Sequence, residues 1–157
     1  METTNVSYAG FWKRFVAYII DDIVLSAVGF TIILFIGAMF GLSFLSLLSD
    51  DMESTVALVV AAAAAIATAI LALIIAGWLY FALMEASANQ GTLGKMALGI
   101  KVTDLDGNRI SFGKATGRYF GKIVSGMILN IGFIMAGFTE KKQALHDIMA
   151  GCLVVNK

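Results

Sequence analysis

Proline is absent from the 157 residues, and histidine and cysteine occur once each, as His146 and Cys152. Without proline, any bend must come from glycine or from a loop. A lone cysteine closes no intrachain disulfide, and with no Cys/His cluster no structural metal is expected. One histidine leaves nothing for a His relay or for most metal-hydrolase sites, so no enzyme and no cofactor is expected. Charge is scarce as well: 14% of residues are charged, against about 25% in soluble domains. Eleven basic and eleven acidic residues cancel, so the balance gives no reason to expect nucleic acid as a partner. Residues 1–10 carry no positive leader region, and the first apolar run is far longer than a signal-peptide core, so cleavage is not expected.

What the chain has in abundance is apolar length. Hydrophobic residues make up 59% and the mean hydropathy is +0.88. Residues 23–49 are 27 in a row without a charge, and 54–84 are 31, where a bilayer crossing needs about 20. The reading is an all-α integral membrane protein with the lipid bilayer as its first partner. Helix 1 is expected over about 11–48, helix 2 over about 54–86, a cytoplasmic loop over 87–118, a third apolar segment over 119–139 and a cytoplasmic tail over 140–157, all in one domain spanning 1–157. Asp50, Asp51 and Glu53 make an acidic turn between the two long helices. Lys95, Lys101, Arg109, Lys114, Arg118 and Lys122 outnumber Glu85, Asp104 and Asp106 in the loop. Basic excess in a short loop marks the cytoplasmic side, which puts the N-terminus inside a prokaryotic cell membrane.

Within 87–118, the alternation of Gly99–Ser111 around Asp106-Gly107 predicts a β-hairpin in a small cytoplasmic cap. The tail Gly151-Cys-Leu-Val-Val-Asn could pair with its strand at 100–104 if both are cytoplasmic. The charge-free core of the third segment, 123–139, is only 17 residues long and contains Gly126, Asn130, Gly132 and Gly137. It is either a short third transmembrane helix or a re-entrant helical segment turning near Asn130–Gly132. Basic residues at both ends favour the second, since a crossing would leave Lys141 and Lys142 outside. Gly37-x-x-x-Gly41 on helix 1 and Ala57, Ala61, Ala65, Ala69, Ala72 and Ala76 on helix 2 offer small-residue packing faces, within one chain or between copies of a homo-oligomer. Trp78 and Tyr80 fit an interfacial anchor.

The first candidate site lies in Phe11–Leu25. Trp12, Phe15, Val16, Ile19, Ile20 and Ile23 share one helical face, and Arg14, Ala17, Tyr18, Asp21, Asp22 and Ser26 the other. Arg14 and Asp21 are seven residues apart, almost two turns and about 10 Å along the axis. Charges leading into a membrane-length segment are costly in lipid and face a bundle interior or a wet cavity. Glu85, at the matching end of helix 2, could join Asp21 and Asp22. Such a group balances burial, which raises a carboxylate pKa, against a nearby arginine, which lowers it.

Three stretches in order resemble the RDD family of small prokaryotic membrane proteins, named for one arginine and two aspartates. They are Ala9-Gly-Phe-Trp-Lys-Arg-Phe-Val-Ala-Tyr-Ile-Ile-Asp, Gln90-Gly-Thr-Leu-Gly-Lys-Met-Ala-Leu-Gly-Ile-Lys-Val-Thr-Asp-Leu-Asp-Gly and Gln143-Ala-Leu-His-Asp-Ile-Met-Ala-Gly-Cys-Leu-Val-Val. The resemblance assigns the family arginine to Arg14 and its aspartates to Asp21 and Asp147, with Asp22 outside the pattern. It also implies a possible link to sodium/proton exchange, with which some members are associated.

Two function classes emerge. The leading one is membrane transport by Na⁺/proton exchange. Asp21, Asp22 and Glu85 would hold the ion or proton, and Arg14, Asp147 and Arg118 would be charge partners. Two long helices enclose too little space for a pathway, so a homo-oligomer would complete it. The rival is a non-transporting membrane module that binds lipid or a partner protein, with Arg14 and the carboxylates paired for structure. Hydroxyls of Ser26, Thr31 and Ser43 either line a polar track or bond back to their own helix. Gly91-Thr-Leu-Gly-Lys lacks the phosphate-loop spacing and reads as a helix start on the membrane surface, with Lys95 reaching lipid phosphate. His146-Asp147 has no nucleophile motif to serve, and His146 could instead report cytoplasmic pH.

Overall fold

A computed structural model describes residues 6–47 and 52–157. The chain divides into two compact units: one built from the N-terminal residues to Asp22 together with Trp78–Lys157, the other from Ile23–Gly77.

The unit Ile23–Gly77 holds the apolar parts of two long helices, α1 (Phe11–Leu47) and α2 (Met52–Ala86). Phe11–Gly41 and Thr55–Ala86 are long and apolar enough to cross a membrane. Nothing in either sequence breaks a helix, since proline is missing and alanine and leucine dominate α2. Their large side chains stay uncovered: Phe30, Phe35, Val60 and Leu71 are all more than half exposed. In water that would be a liability, whereas in lipid it is the expected outer surface. Thr31 and Thr68 donate to the carbonyls of Ala27 and Ala64, both at 2.9 Å, so these hydroxyls are spent on their own helices. Ser43 and the expected acidic pair Asp50 and Asp51 lie outside the residues whose side chains are described. Gly29, not Gly37 or Gly41, is the small residue at a contact: a Cβ there would sit 3.8 Å from Leu73 Cδ1, while at Gly37 and Gly41 it would meet nothing.

The second unit is organised by a pair of strands. β1 (Ile100–Asp104) runs antiparallel to β2 (Cys152–Asn156), with Val102 opposite Val154. The N-terminal segment joins the same edge: Tyr8 bridges Val155, Ala9 N donates to Val154 O at 2.9 Å, and Asn156 N donates to Ser7 O at 2.8 Å. The expected hairpin does not form. Asp104 Oδ1 accepts from the amides of Asp106 and Asn108 at 3.0 and 2.8 Å and closes a tight turn at Gly107, whose φ is +85°. The chain then leaves the strand direction at once. Asn108–Ser111 would have contributed one apolar side chain, Ile110, to a sheet, whereas Cys152–Val155 buries four. Burial decides the partner.

Ser111 caps α4 (Phe112–Met127), accepting from Lys114 N at 3.3 Å. The helix therefore starts seven residues before the expected third segment at 119. It ends in two left-handed residues, Leu129 (φ 55°) and Asn130 (φ 62°). The chain then doubles back through α5 (Ile131–Ile134) and a 3₁₀ turn at Met135–Gly137, bent by 117° from α4. Gly132 makes the return possible, because a Cβ there would come 2.7 Å from Ser125 Cβ. Asn130 is thus a turn residue. Between α2 and β1 lies α3 (Leu93–Ala97), and between the 3₁₀ turn and β2 lies α6 (Leu145–Ala150), closed by Gly151 at φ +60°.

Candidate functional site

The charged residues of this second unit converge. On α1 the face bearing Trp12, Phe15, Val16, Ile19 and Ile23 is the exposed one, each at least 40% exposed, while Ala17 and Asp21 are buried. The helix is apolar outward and polar inward, as a charged lipid-facing helix must be. Asp21 is held by groups from α2 and α3. Its Oδ1 accepts from Tyr80 OH at 2.9 Å and Gly94 N at 2.8 Å, and its Oδ2 from Thr92 OH at 2.5 Å. The close approach requires glycine, since a Cβ on Gly94 would collide with the carbonyl of Ala17. Tyr80 also accepts from Leu93 N at 3.1 Å, so it ties α2 to α1 and α3. Trp78 likewise donates to Thr116 Oγ1 at 3.3 Å.

Beside this pocket runs a chain of alternating charge. Arg14 pairs with Asp147, and donates as well to Ala9 O at 2.9 Å and Lys142 O at 2.5 Å. Arg118 Nε reaches Asp147 Oδ1 at 2.7 Å, and its Nη1 lies 2.6 Å from Glu85 Oε2. Glu85 Oε1 takes Lys95 Nζ at 2.5 Å and has Lys122 Nζ at 3.6 Å. Arg118, 2% exposed, is the hub between two carboxylates, both at most 1% exposed. Removing one member of such a network would leave a buried charge uncompensated, at about 3–5 kcal/mol. Asp147 Oδ2 also accepts from Ala144 N at 3.1 Å, so one side chain starts α6 and closes the network.

Burial alone would raise the Asp147 carboxyl, but Arg118 and Arg14 outweigh it and hold the group well below the usual carboxylate range. Burial pushes the His146 imidazole down to about 3, against the pull of Asp147. His146 therefore stays neutral and is no reporter of pH near 7. Its Nδ1 lies 3.4 Å from Ser125 Oγ and its Nε2 3.5 Å from Asp147 Oδ1, which has the outline of a hydrolytic triad. Ser125 instead gives its proton to Gly121 O at 2.9 Å, and its carboxylate neighbour is already claimed by two arginines.

Several expected pairings are redistributed. Asp147 pairs with Arg14 and Arg118, the two charge partners expected for it, whereas Arg14 does not meet Asp21, whose partners are Tyr80, Thr92 and Gly94. Asp22, one residue and about 100° further round α1, is exposed and outside the cluster. Lys95 does not reach outward to lipid: it is 6% exposed and bonded to Glu85. Lys95, Lys122, Tyr80, Thr92 and Gly94 were all beyond the reach of the residue types alone. The i, i+4 spacing of Arg118 and Lys122, continued by Ser125 and Gly121, was the one legible sign of a polar face on α4. Among the described residues no group of three or more His, Cys, Asp or Glu could hold a metal ion.

A cavity of about 660 Å³ adjoins the cluster. Arg14, Lys95, Arg118 and Lys122 form its cationic end, and aromatic and aliphatic side chains such as Phe15, Phe133 and Ile134 form the rest.

Two helices of membrane-spanning length that expose their apolar faces, with a buried charge network where they end, define an integral membrane protein. The chain belongs to the RDD family, whose family model matches residues 8–151. It is similar to "Uncharacterized protein YxaI" of Bacillus subtilis (strain 168), 43% identical over 149 residues, which are 95% of this chain and 97% of that relative. It is also similar to "Uncharacterized membrane protein YteJ" of the same strain, 31% identical over 162 residues, covering 99% of this chain and 85% of the relative. No solved structure matches it.

Proposed function

We propose that this protein is a non-transporting module of the prokaryotic cell membrane that binds lipid, with its Arg, Asp and Glu network serving structure. The observation that carries this reading is that every buried carboxylate in the cluster is already held by protein donors or cations. Asp21 accepts three hydrogen bonds, Glu85 faces three cations, and Asp147 is held by two arginines and a backbone amide. A sodium ion is a hard cation that takes oxygen ligands, and here it would compete for those oxygens with the donors and cations that already hold them. Na⁺/proton exchange at Asp21, Asp22 and Glu85 is therefore the less favoured reading. The homo-oligomer is tied to an ion pathway, and a module without one does not require it. No catalytic role is assigned.

Orientation is argued from the strand pairing. β1 and β2 are hydrogen-bonded to each other, so the chain between them, residues 105–151, begins and ends on one side of the bilayer. The α4–α5 segment accordingly enters the lipid and returns without crossing. Exposed Met127, Leu129 and Phe138 suit that immersion. Exposed Lys13, Arg109, Lys114, Lys141 and Lys142 then gather on one side with both termini, and by their charge that side is the cytoplasm.

Reconstitution tests the reading. Proteoliposomes of the wild type, loaded with a pH-sensitive dye, are expected to show no proton movement on a Na⁺ pulse. Asp21→Asn is expected to unfold at lower temperature, because an amide nitrogen would face donors where a carboxylate accepted them. Na⁺-driven alkalinisation in wild type, lost in an Asp21→Asn variant that still folds, would restore exchange.

A further inference from the structure

We infer that the 660 Å³ cavity is a headgroup site for an anionic phospholipid, with the Lys122 ammonium as the group that takes the phosphate. This rests on the lipid-binding reading above and names its ligand. Arg14, Lys95, Arg118 and Lys122 stand against Asp21, Glu85 and Asp147, four cations to three carboxylates, in a region shielded from water. The surplus is concentrated on one group. Lys95 occupies Glu85 Oε1 at 2.5 Å, so Lys122 reaches the same oxygen only at 3.6 Å, too far for a hydrogen bond. Its other neighbour is the Phe81 ring, 4.2 Å away, which attracts a cation but accepts no strong hydrogen bond. Lys122 lines the cavity, neither Glu85 nor Phe81 takes a hydrogen bond from it, and an ammonium has three N–H donors to offer. Arg118 Nη1 is a second buried donor on the same wall whose 2.6 Å ion pair is not aligned as a hydrogen bond.

The rest of the lining selects an amphiphile over a soluble anion. Phe15, Tyr18, Ile123 and Ile134 line the cavity yet are about half exposed, so apolar surface continues from its interior to the outside of the protein. A volume of this size falls within the about 300–1,000 Å³ of small-molecule sites. It admits a phosphate headgroup and leaves the acyl chains to lie along those four side chains in the bilayer. A zwitterionic lipid would bring its own ammonium toward four cations and be disfavoured.

The test uses the purified full chain in neutral detergent, titrated with dioctanoyl phosphatidylglycerol, dioctanoyl phosphatidylcholine or sodium phosphate. Stabilisation is read from the unfolding midpoint, and bound lipid from native mass spectrometry. Phosphatidylglycerol is expected to bind at least about tenfold more tightly than either of the others. Lys122→Gln should weaken it about fivefold, one cation's share of attraction to an anionic headgroup. Should Lys122→Gln not fold, Gly126→Leu decides. Gly126 lines the cavity, and a Cβ there meets only Asn130 Oδ1 at 3.9 Å, so a leucine can start there without a clash and take up cavity space. It is expected to abolish lipid retention with the lipid-free midpoint unchanged. Equal affinity for the two lipids, phosphate binding as tightly as phosphatidylglycerol, or unchanged retention in Gly126→Leu would each overturn the assignment. Na⁺ flux would overturn the underlying reading instead, and is measured separately.

Discussion

His146 shows how one residue's surroundings set its chemistry. Buried between α4 and α6 with its Cβ 3.0 Å from where Gly121 would carry its own, it has lost most of the solvent contact that a protonated imidazole demands. In the unfolded chain the imidazole takes a proton below about pH 6.5, whereas in the folded chain it does so only near 3. Between those values the unfolded state binds more protons, so stability falls as pH falls, by up to about 1.4 kcal/mol per unit. Asp147 adds a second acid-side loss. Its contribution is whole above the unfolded carboxyl pKa of about 4 and disappears as pH drops through its depressed folded value. Unfolding midpoints in detergent across pH 4–8 are expected to decline from about pH 6 downward. In His146→Asn the decline should begin only near pH 4. A wild-type midpoint flat from pH 8 to pH 4 would contradict the neutral, buried imidazole.

At the scale of the element, the third apolar segment carries the sharpest expectation. The native Cys152 is buried and its thiol is pushed up to about 11 by that burial, so it reacts slowly with maleimides and need not be removed. Single cysteines at Val6, Leu129 and Lys157 then report topology. Positions 6 and 157 should label from the cytoplasmic face, and position 129 should be unreachable from outside. External labelling at 157 would make α4–α5 a crossing and break β1 from β2, and external labelling at 129 alone would mean that the turn reaches the far side before the chain returns. Much of this element-level plan was readable beforehand. Charge-free length located α1 and α2, Asn130 and Gly132 located the turn, and the run Cys-Leu-Val-Val located the partner of β1. The hairpin was misread because Asp106-Gly107 is a sound turn signal that does not fix the course of the chain beyond it. Asp104 spends its carboxylate on that turn, and Ser111 immediately caps a helix. Pairings of charge were harder still. Asp147 was expected beside Arg14 or Arg118 once the tail lay on the same side as the start of α1, across 133 positions, but no periodicity within α1 showed that Asp21 would be held by Tyr80, Thr92 and Gly94 instead of Arg14. Lys95 reads as a surface residue until α3 turns it toward Glu85.

On the whole-molecule scale, the family match spans nearly the entire chain because its signature is spread over both ends, which meet. Tyr8 and Ala9 bond to Val154 and Val155, and Lys13 Nζ donates to Asn156 Oδ1 at 2.8 Å. Deleting residues 144–157 takes away β2 and the carboxylate of Asp147 together. A chain stopped at Gln143 is expected to insert and then to be degraded severalfold faster than the full protein in pulse-chase. Equal half-lives would mean that the tail contributes little.

That closure of the ends imposes an order of events during synthesis. Arg14 is made 133 positions ahead of Asp147, so while the chain between them is synthesised the guanidinium has no Asp147 to pair with. The ion pair that closes the network forms only once α6 has been made.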